Sequence, residues 1–341
     1  MNSGVVDVEE RMANAENANG ETVPLVSMLV LTYNNIEGIY PTLDSIFAQR
    51  YPRIELVISD DASRDFENQR ASVQAYLDQH AGPNVENIVI NAIPRNVGTV
   101  KNKNSALSLA KGDYAMCLAA EDTLIGEDVL ETYVIFMELN PAIDVCFGKL
   151  RGVTPDGDYK YELLACDTDY DKLRGFDRQQ TLNHLFRRNF LPEPSAFYRM
   201  DAYARFGFHD EEIRLIEDYP FWIKVVLKGG RFGYIDDYTV DYLLTGVSSA
   251  GEYSEQFMRD LMRIYDKYVF PNDHRFKALQ GPYNILKRWG LEFYLAKAQW
   301  DDYDKLTKAR KAVFYSPLFA FTWSQRKLND LENKRIQARV R

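Results

Sequence analysis

The stretch VSMLVLTYNN, Val26–Asn35, decides how the rest of the chain is read. It is a short apolar run closed by polar residues, the pattern of a strand buried on both faces. The runs IELVIS (Ile54–Ser59), IVINA (Ile88–Ala92), YAMCLA (Tyr114–Ala119) and IDVCFG (Ile143–Gly148) repeat it. Between them lie segments of helical spacing. Leu43, Ile46 and Phe47 precede Tyr51-Pro52, Ala71–Gln79 follows the second run, and Ala106, Leu107 and Ala110 stop at Gly112. Val129, Leu130, Tyr133 and Met137 stop before Pro141. Strands alternating with helices at this interval predict an α/β fold, a mostly parallel sheet with helices on both faces.

In such a sheet, ligands bind beyond the carboxyl ends of the strands. The polar residues that follow the first, second and fourth strands are Thr32/Tyr33/Asn34, Asp60/Asp61 and Glu121/Asp122, so all three sets are expected on one edge. Asp60 and Asp61 suit a turn or a helix cap. They also suit acceptance of a base or ribose hydrogen bond from a nucleotide. Arg95, Asn96, Gly98, Lys103 and Asn104 form a basic, amide-rich loop running into a helix, the setting of an anion site or of a solvated loop. Glu121 and Asp122 are hard oxygen donors suited to Mg2+ or Mn2+, with substrate phosphates and water completing the shell. Capping of the helix near Asp128 is the alternative. Glu217 and Asp218 stand at a helix start, as dipole partners or as a general base.

After Lys149 the pattern changes. TPDGD (Thr154–Asp158) predicts a hairpin turn, PEPSAFYR an extended segment, and FGYI and TVDYLLT two short strands. From about Tyr253 the spacing of Phe257, Leu261, Ile264 and Tyr268 is helical, with further helices over Phe276–Ala298 and Tyr303–Val313. The division expected is an acidic, disordered tail over 1–22 and a domain over 23–250, followed by a helical region over 251–341.

The totals exclude several classes. The chain has 341 residues and a net charge of −9, which argues against general nucleic-acid binding. No apolar segment is long enough to span a membrane, and the N-terminus lacks the apolar centre of a signal peptide. Three cysteines without metal-ligand spacing fit a reducing, cytoplasmic setting, with Cys117 and Cys146 as small core residues. The four histidines are scattered and read as surface or capping residues. No GxSxG elbow is present.

Together these residues resemble a family-2 glycosyltransferase of GT-A fold over Val26–Ser249, with 23–150 as the nucleotide-sugar half and 151–250 as the acceptor half. VSMLVLTYNN resembles the family's opening strand and donor-contacting turn, which carries over to Thr32, Tyr33 and Asn34. IELVISDDASRD resembles the strand and loop that bind the base, carried over to Asp60 and Asp61. NVGTVKNKNSALSLAKGDYAMCLAAEDTL resembles the Asn-x-Gly segment, the helix and the metal-bearing strand. EDYPFWIKVVLKG resembles the Glu-Asp motif, whose second acid, here Asp218, is the family's base. The resemblance implies an inverting transfer from a nucleotide-diphosphate sugar, a UDP-sugar first, to a saccharide or lipid-linked acceptor. It also implies a divalent cation, Mn2+ or Mg2+, at Glu121 and Asp122.

Two positions depart from the pattern. Ala119 stands where the family carries the first Asp of its metal motif, and Lys103 stands where arginine is common, which removes a bidentate phosphate grip. Nucleotidyl transfer is an alternative, but LTYNNIEG offers neither the glycine-rich activating loop nor the lysine it needs. A degenerate domain that binds sugar nucleotide or scaffolds partners is another. Beyond the resemblance, FYSPLFAFTW and a last segment with six Lys/Arg against two acids suggest peripheral contact with anionic lipid.

Overall fold

A computed structural model of the chain describes residues 23–154, 156–161, 173, 175, 177–244, 254–273, 280–299 and 304–315. The tail expected over 1–22 and the basic C-terminal end lie outside the described residues. The chain forms two compact units, Met1–Ala250 and Gly251–Arg341.

The first unit opens with β1 (Val26–Thr32), α1 (Ile39–Phe47), β2 (Ile54–Asp60), α2 (Phe66–His80), β3 (Val85–Ala92), α3 (Thr99–Leu109) and β4 (Tyr114–Ala119). It continues through β5 (Thr123–Leu124), α4 (Val129–Leu139), β6 (Val145–Val153), β7 (Tyr159–Tyr161), α5 (Arg178–Leu185) and β8 (Ala196–Arg199). It closes with α6 (Asp201–Phe206), α7 (Asp218–Leu227) and β9 (Phe232–Leu243). The nine strands form one sheet in the order β3-β2-β1-β4-β8-β6-β9-β5, with β7 paired to β6.

The α/β fold is as expected, and β3, β2, β1 and β4 run parallel. Beyond them the sheet is mixed. IDVCFG does not sit beside β4, because β8 inserts antiparallel to both β4 and β6. FGYI and TVDYLLT are one strand, β9, which follows β6 in parallel through register shifts around Lys149. The TPDGD hairpin forms between β6 and β7, with Gly157 at φ 85° where a side chain would be strained. Thr123, with Asp122 a candidate to cap the helix near Asp128, pairs instead in β5 with β9.

The apolar runs do what their composition requires. Met28, Val30, Leu56, Ile58, Met116 and Leu118 pack with Ile39, Leu43 and Ile46 of α1, Val73 and Leu77 of α2, and Leu130 and Met137 of α4. Alternate strand residues such as Leu29, Val57 and Cys117 turn to the opposite face, where α3 buries Val100 and Leu107. Each fully buried aliphatic side chain contributes about 1.5–3 kcal/mol. Glu55 is buried within β2, yet it accepts from Ser27 Oγ (2.6 Å), Asn87 Nδ2 (3.0 Å) and the Lys111 N–H (2.7 Å), so its burial is compensated. Cys117 and Cys146 are buried free thiols, as expected of small core residues.

Register brings the strand ends level. Thr32 pairs with Asp60, and Leu31 pairs with Ala119. The turns after β1, β2 and β4 therefore share one edge.

In the second unit, α8 (Glu255–Ile264) runs into a single π turn, Tyr265–Val269, and α9 spans Gln280–Ala298. A last helix, α10, covers 305–315. Trp289 and Phe293 pack with buried Ala296 and Tyr315. Among the described residues no helix is long and apolar enough to cross a membrane.

Candidate active site

The strand edge is clasped by its own acids. Asp61 is buried and takes three donors from the loop after β3: the N–H groups of Val97 (2.7 Å) and Gly98 (2.8 Å), and Asn96 Nδ2 (2.9 Å). Asp60 accepts from the Ser63 N–H (2.9 Å) and from the Ser63 hydroxyl, and burial pushes its carboxyl up against these hydrogen bonds. Asn34, at φ 54°, donates its N–H to Ser63 Oγ (2.6 Å) and accepts from the Arg64 N–H (3.1 Å). Thr32 is buried and donates to the Asn35 carbonyl (3.0 Å). Tyr33 of this turn is 51% exposed, and Asn34 beside it is exposed as well. The structure thus joins Thr32, Asn34, Asp60, Asp61, Asn96 and Gly98 into one hydrogen-bonded rim, with Tyr33 and exposed Arg95 at its surface.

Glu121 and Asp122 are adjacent in sequence and unlike in setting. Asp122 is buried. Its Oδ1 accepts from the Leu243 N–H (3.2 Å), its Oδ2 meets no partner, and burial pushes its carboxyl up to about 8. It ties the β4–β5 turn to the end of β9. Glu121 is half-buried at φ 88°, and its N–H donates to the Gly38 carbonyl (2.8 Å) and to Thr42 Oγ1 (3.0 Å). A Cβ on Gly38 would strike the Glu121 side chain, so that glycine makes room for it. Among the described residues no cluster of three or more Asp, Glu, His or Cys could hold a metal by itself. The donor chemistry fits a cation bound by one carboxylate plus substrate oxygens. Glu121 suits that role, whereas the Asp122 oxygens face inward.

Lys103 and Asn104 are not at the rim, contrary to the anion-loop expectation. Lys103 is wholly buried, because it points from the first turns of α3 into the second half of the unit. Its ammonium pairs with Glu193 and donates to Tyr198 Oη (3.3 Å). Asn104 accepts from the His209 N–H (3.0 Å) and donates to the His209 carbonyl (2.9 Å). His209 is buried, not on the surface as its sequence setting suggested. Its Nδ1 lies 3.0 Å from the Glu217 carbonyl, and burial holds the imidazole neutral by pushing it well below its usual range. Arg214 approaches the rim loop, where Asn96 Oδ1 accepts from its guanidinium and its carbonyl accepts from the Val100 N–H (3.2 Å). Gly98, at φ 91°, permits this, since a Cβ there would lie 2.9 Å from the Arg214 carbonyl oxygen.

These ties fix Glu217 and Asp218 at the start of α7. Asp218 accepts from Asn189 Nδ2 (2.6 Å) and from the Tyr219 N–H (2.6 Å). Burial raises its carboxyl, and these hydrogen bonds oppose the rise. Glu217 is pushed up to about 7 by burial and by Asp218, with Lys103 pulling the other way. Two adjacent carboxyls thus stand at the start of α7, both pushed up by burial. The sequence did not single out Asn189, Glu193, His209 or Arg214. None lies in a recognisable spacing, and PEPSAFYR, expected to be extended, is so only over Ala196–Arg199, with Glu193 in a single 3-10 turn, Glu193–Ser195.

The site thus combines a mixed α/β sheet, an acid-lined rim at its strand ends and a second pair of acids at the start of α7. Residues 27–207 match the family model described as glycosyl transferase family 2, more than half of the chain, and the chain belongs to that family. The match stops before Glu217 and Asp218. An uncharacterized glycosyltransferase of Methanocaldococcus jannaschii is 23% identical over 222 residues, covering 64% of this chain and 70% of that protein. A poly(ribitol-phosphate) beta-glucosyltransferase of Bacillus spizizenii is 26% identical, over 64% of this chain and 32% of that protein. This chain therefore spans about a third of the Bacillus enzyme. Among solved structures, S. aureus TarS in complex with UDP-GlcNAc superposes with TM-score 0.57 at 19% identity, over 84% of this chain and 78% of that one. A mannosyltransferase from Pyrobaculum calidifontis in complex with GDP-Man and Mn2+ gives TM-score 0.53 at 19% identity, over 89% and 83%. At these identities the likeness establishes the fold alone.

Proposed function

We propose that this glycosyltransferase moves a sugar from a nucleoside-diphosphate sugar to a saccharide or lipid-linked hydroxyl with inversion, and that Asp218 is its base. The observation that carries the reading is the placement of Asp218. Arg214 on the β3–α3 loop and His209 on Asn104 anchor the segment that leads into it. In this reading the donor's base rests by Tyr33 and the Asp60/Asp61 loops, and its diphosphate at the β4 end. The acceptor oxygen forms a bond to the anomeric carbon as the bond from that carbon to the phosphate oxygen breaks. The acceptor proton passes to Asp218, and the nucleoside diphosphate leaves. The relatives' ligands, UDP-GlcNAc and GDP-Man with Mn2+, support a nucleotide-sugar donor.

A divalent cation, when bound, would offset charge developing on the leaving diphosphate. Glu121 would hold it, while Asp122 keeps the turn in shape. Glu121→Ala is therefore expected to raise the manganese concentration for half-maximal activity by about 100-fold, and Asp122→Asn by no more than about threefold. A screen of UDP- and GDP-sugars, read by release of the nucleoside diphosphate across a manganese titration, checks both. Equal losses in the two variants would make Asp122 a ligand that turns outward.

The reading places transfer at the cytoplasmic face of a membrane. Support comes from α10, which exposes Leu306 (60%), Val313 (76%) and Phe314 (58%) among Lys305, Lys308, Arg310 and Lys311. An apolar face flanked by cations suits the interface of an anionic bilayer. The full chain should float with phosphatidylglycerol vesicles at low salt and lose that binding when Leu306, Val313 and Phe314 are replaced together by serine. Flotation unaffected by the replacement would remove this helix from the contact.

A further inference from the structure

Asn189 meets Asp218 with only half of its amide. The end of α5 and the chain beyond it are pinned, since Phe186, Phe190 and Leu191 are buried and the Leu185 carbonyl accepts from Tyr219 Oη (2.6 Å). Asn189 is therefore carried to α7 on a fixed backbone, and rotation of its amide is the freedom that remains. Its Nδ2 donates to Asp218 Oδ2 (2.6 Å), while its Oδ1 is buried and has no hydrogen-bond partner among the described residues. A buried acceptor without a donor is costly, and it calls for a second state in which a donor arrives.

The other oxygen of Asp218 says where that donor comes from. Asp218 Oδ1 accepts from the Tyr219 N–H (2.6 Å), a backbone donor fixed in the first turn of α7. A proton taken up by Asp218 is thus directed to Oδ2, the oxygen that faces Asn189. An O–H there confronts the Nδ2 donor until the amide turns over and offers Oδ1 instead. The orphan oxygen then has its partner.

We propose that Asn189 is a positioning residue that serves the base in both of its states: Nδ2 holds the carboxylate before transfer, and Oδ1 accepts from the acid O–H after it. The inference rests on the assignment of Asp218 above. The acceptor hydroxyl gives its proton to Asp218 Oδ2 as its oxygen bonds to the anomeric carbon. The nucleoside diphosphate leaves with the electron pair of the bond that breaks. The Asn189 amide turns over to hold the new O–H, and it turns back when the proton passes to water. The other charged and titratable groups about Asp218 are Glu217 beside it, Lys103 of α3, Tyr198 of β8, and exposed Arg187 and Arg188 before Asn189. All of them are common to the wild type and an Asn189 variant, so a difference between the two reports Asn189.

Spectra of the isotope-labelled full chain test this, with the Asp218 midpoint read from its carboxyl 13C signal. NOEs from the Asn189 Hδ2 protons to the Tyr219 N–H, which sits across the same carboxylate, should be present above that midpoint and absent below it. In Asp218→Asn the Tyr219 N–H directs the introduced oxygen to itself and the introduced NH2 to Asn189, so the NOEs should be absent at every pH. Asn189→Leu removes both halves of the amide at similar volume. Its Asp218 carboxylate loses a donor and protonates more readily, so the acid limb of the kcat/KM profile should move up by about one pH unit. With the base less well oriented, kcat on the plateau should fall about tenfold. The dissociation constant for UDP should stay within about twofold of wild type, because Asn189 pairs with Asp218 and not with the rim. NOEs that persist on both sides of the midpoint would overturn the proposal. So would an Asn189→Leu profile with its limb in place and only its Tm lowered. The wild-type titration needs no variant, so misfolding of Asn189→Leu leaves the test standing. A wild-type chain inactive on every donor sinks the transferase reading, while the NOEs still decide the amide turn.

Discussion

Asp218→Asn should abolish sugar transfer while leaving the protein folded and the donor bound. General-base removal of this kind costs about 10²–10⁴-fold in rate. The structural cost should be small, because the local hydrogen bonds can be rearranged. Asp218 accepts from Asn189 Nδ2 and the Tyr219 N–H, while Asn189 Oδ1 is buried without a partner. Rotation of the Asn189 amide lets that oxygen accept from the introduced amide, so an orphan atom gains a partner as the charge is lost. Initial rates of nucleoside diphosphate release, together with a calorimetric dissociation constant for UDP, separate the two effects. Rates near wild type would remove Asp218 as the base. Weakened UDP binding at unchanged stability would move it from proton transfer to donor binding.

Asp61→Ala should be the largest stability defect at the rim. Its carboxylate is the common acceptor for the Val97 N–H, the Gly98 N–H and the Asn96 amide, and the Gly98 contact is buried. Hydrogen bonds to a charged acceptor are worth about 1.5–3 kcal/mol each, and water replaces the more exposed of them. A net loss of about 3 kcal/mol follows, or a fall in Tm of about 6–12 °C for a unit of this size. The loop it holds also receives Arg214, so the donor rim and the base segment should loosen together. UDP affinity and kcat should both fall, in contrast to Asp218→Asn. Thermal unfolding within about 1 °C of wild type would show that the loop is held by other contacts.

The difference between the two variants reflects how far each residue could be read in advance. The rim was legible because register is a local consequence of the chain. Buried runs of five to seven residues must become strands, and crossover helices force those strands to be parallel, so the polar residues that end each run arrive at the same edge. What the rim acids do there was not legible. Asp60 and Asp61 look interchangeable in DDASRD, yet one serves Ser63 and the other serves a loop 36 residues away. Glu121 and Asp122 divide in the same way, because β9 brings the Leu243 N–H to one of them only. Lys103 was misplaced for a related reason. Helical spacing gives the face on which a side chain lies, but not the partner that waits there.

By itself the sequence determined the α/β class, the level strand ends and the acidic character of both the rim and the α7 start. These follow from hydrophobic periodicity and turn chemistry, which act over a few residues. Only the tertiary structure decided that β8 interrupts the parallel order, that Asp122 faces inward, and that the Lys103 ammonium is buried against Glu193. Each of these depends on segments about 50 to 120 residues apart in sequence meeting in the interior. There an unpaired charge or N–H is costly enough to dictate its neighbours, and no local pattern records which neighbour that will be.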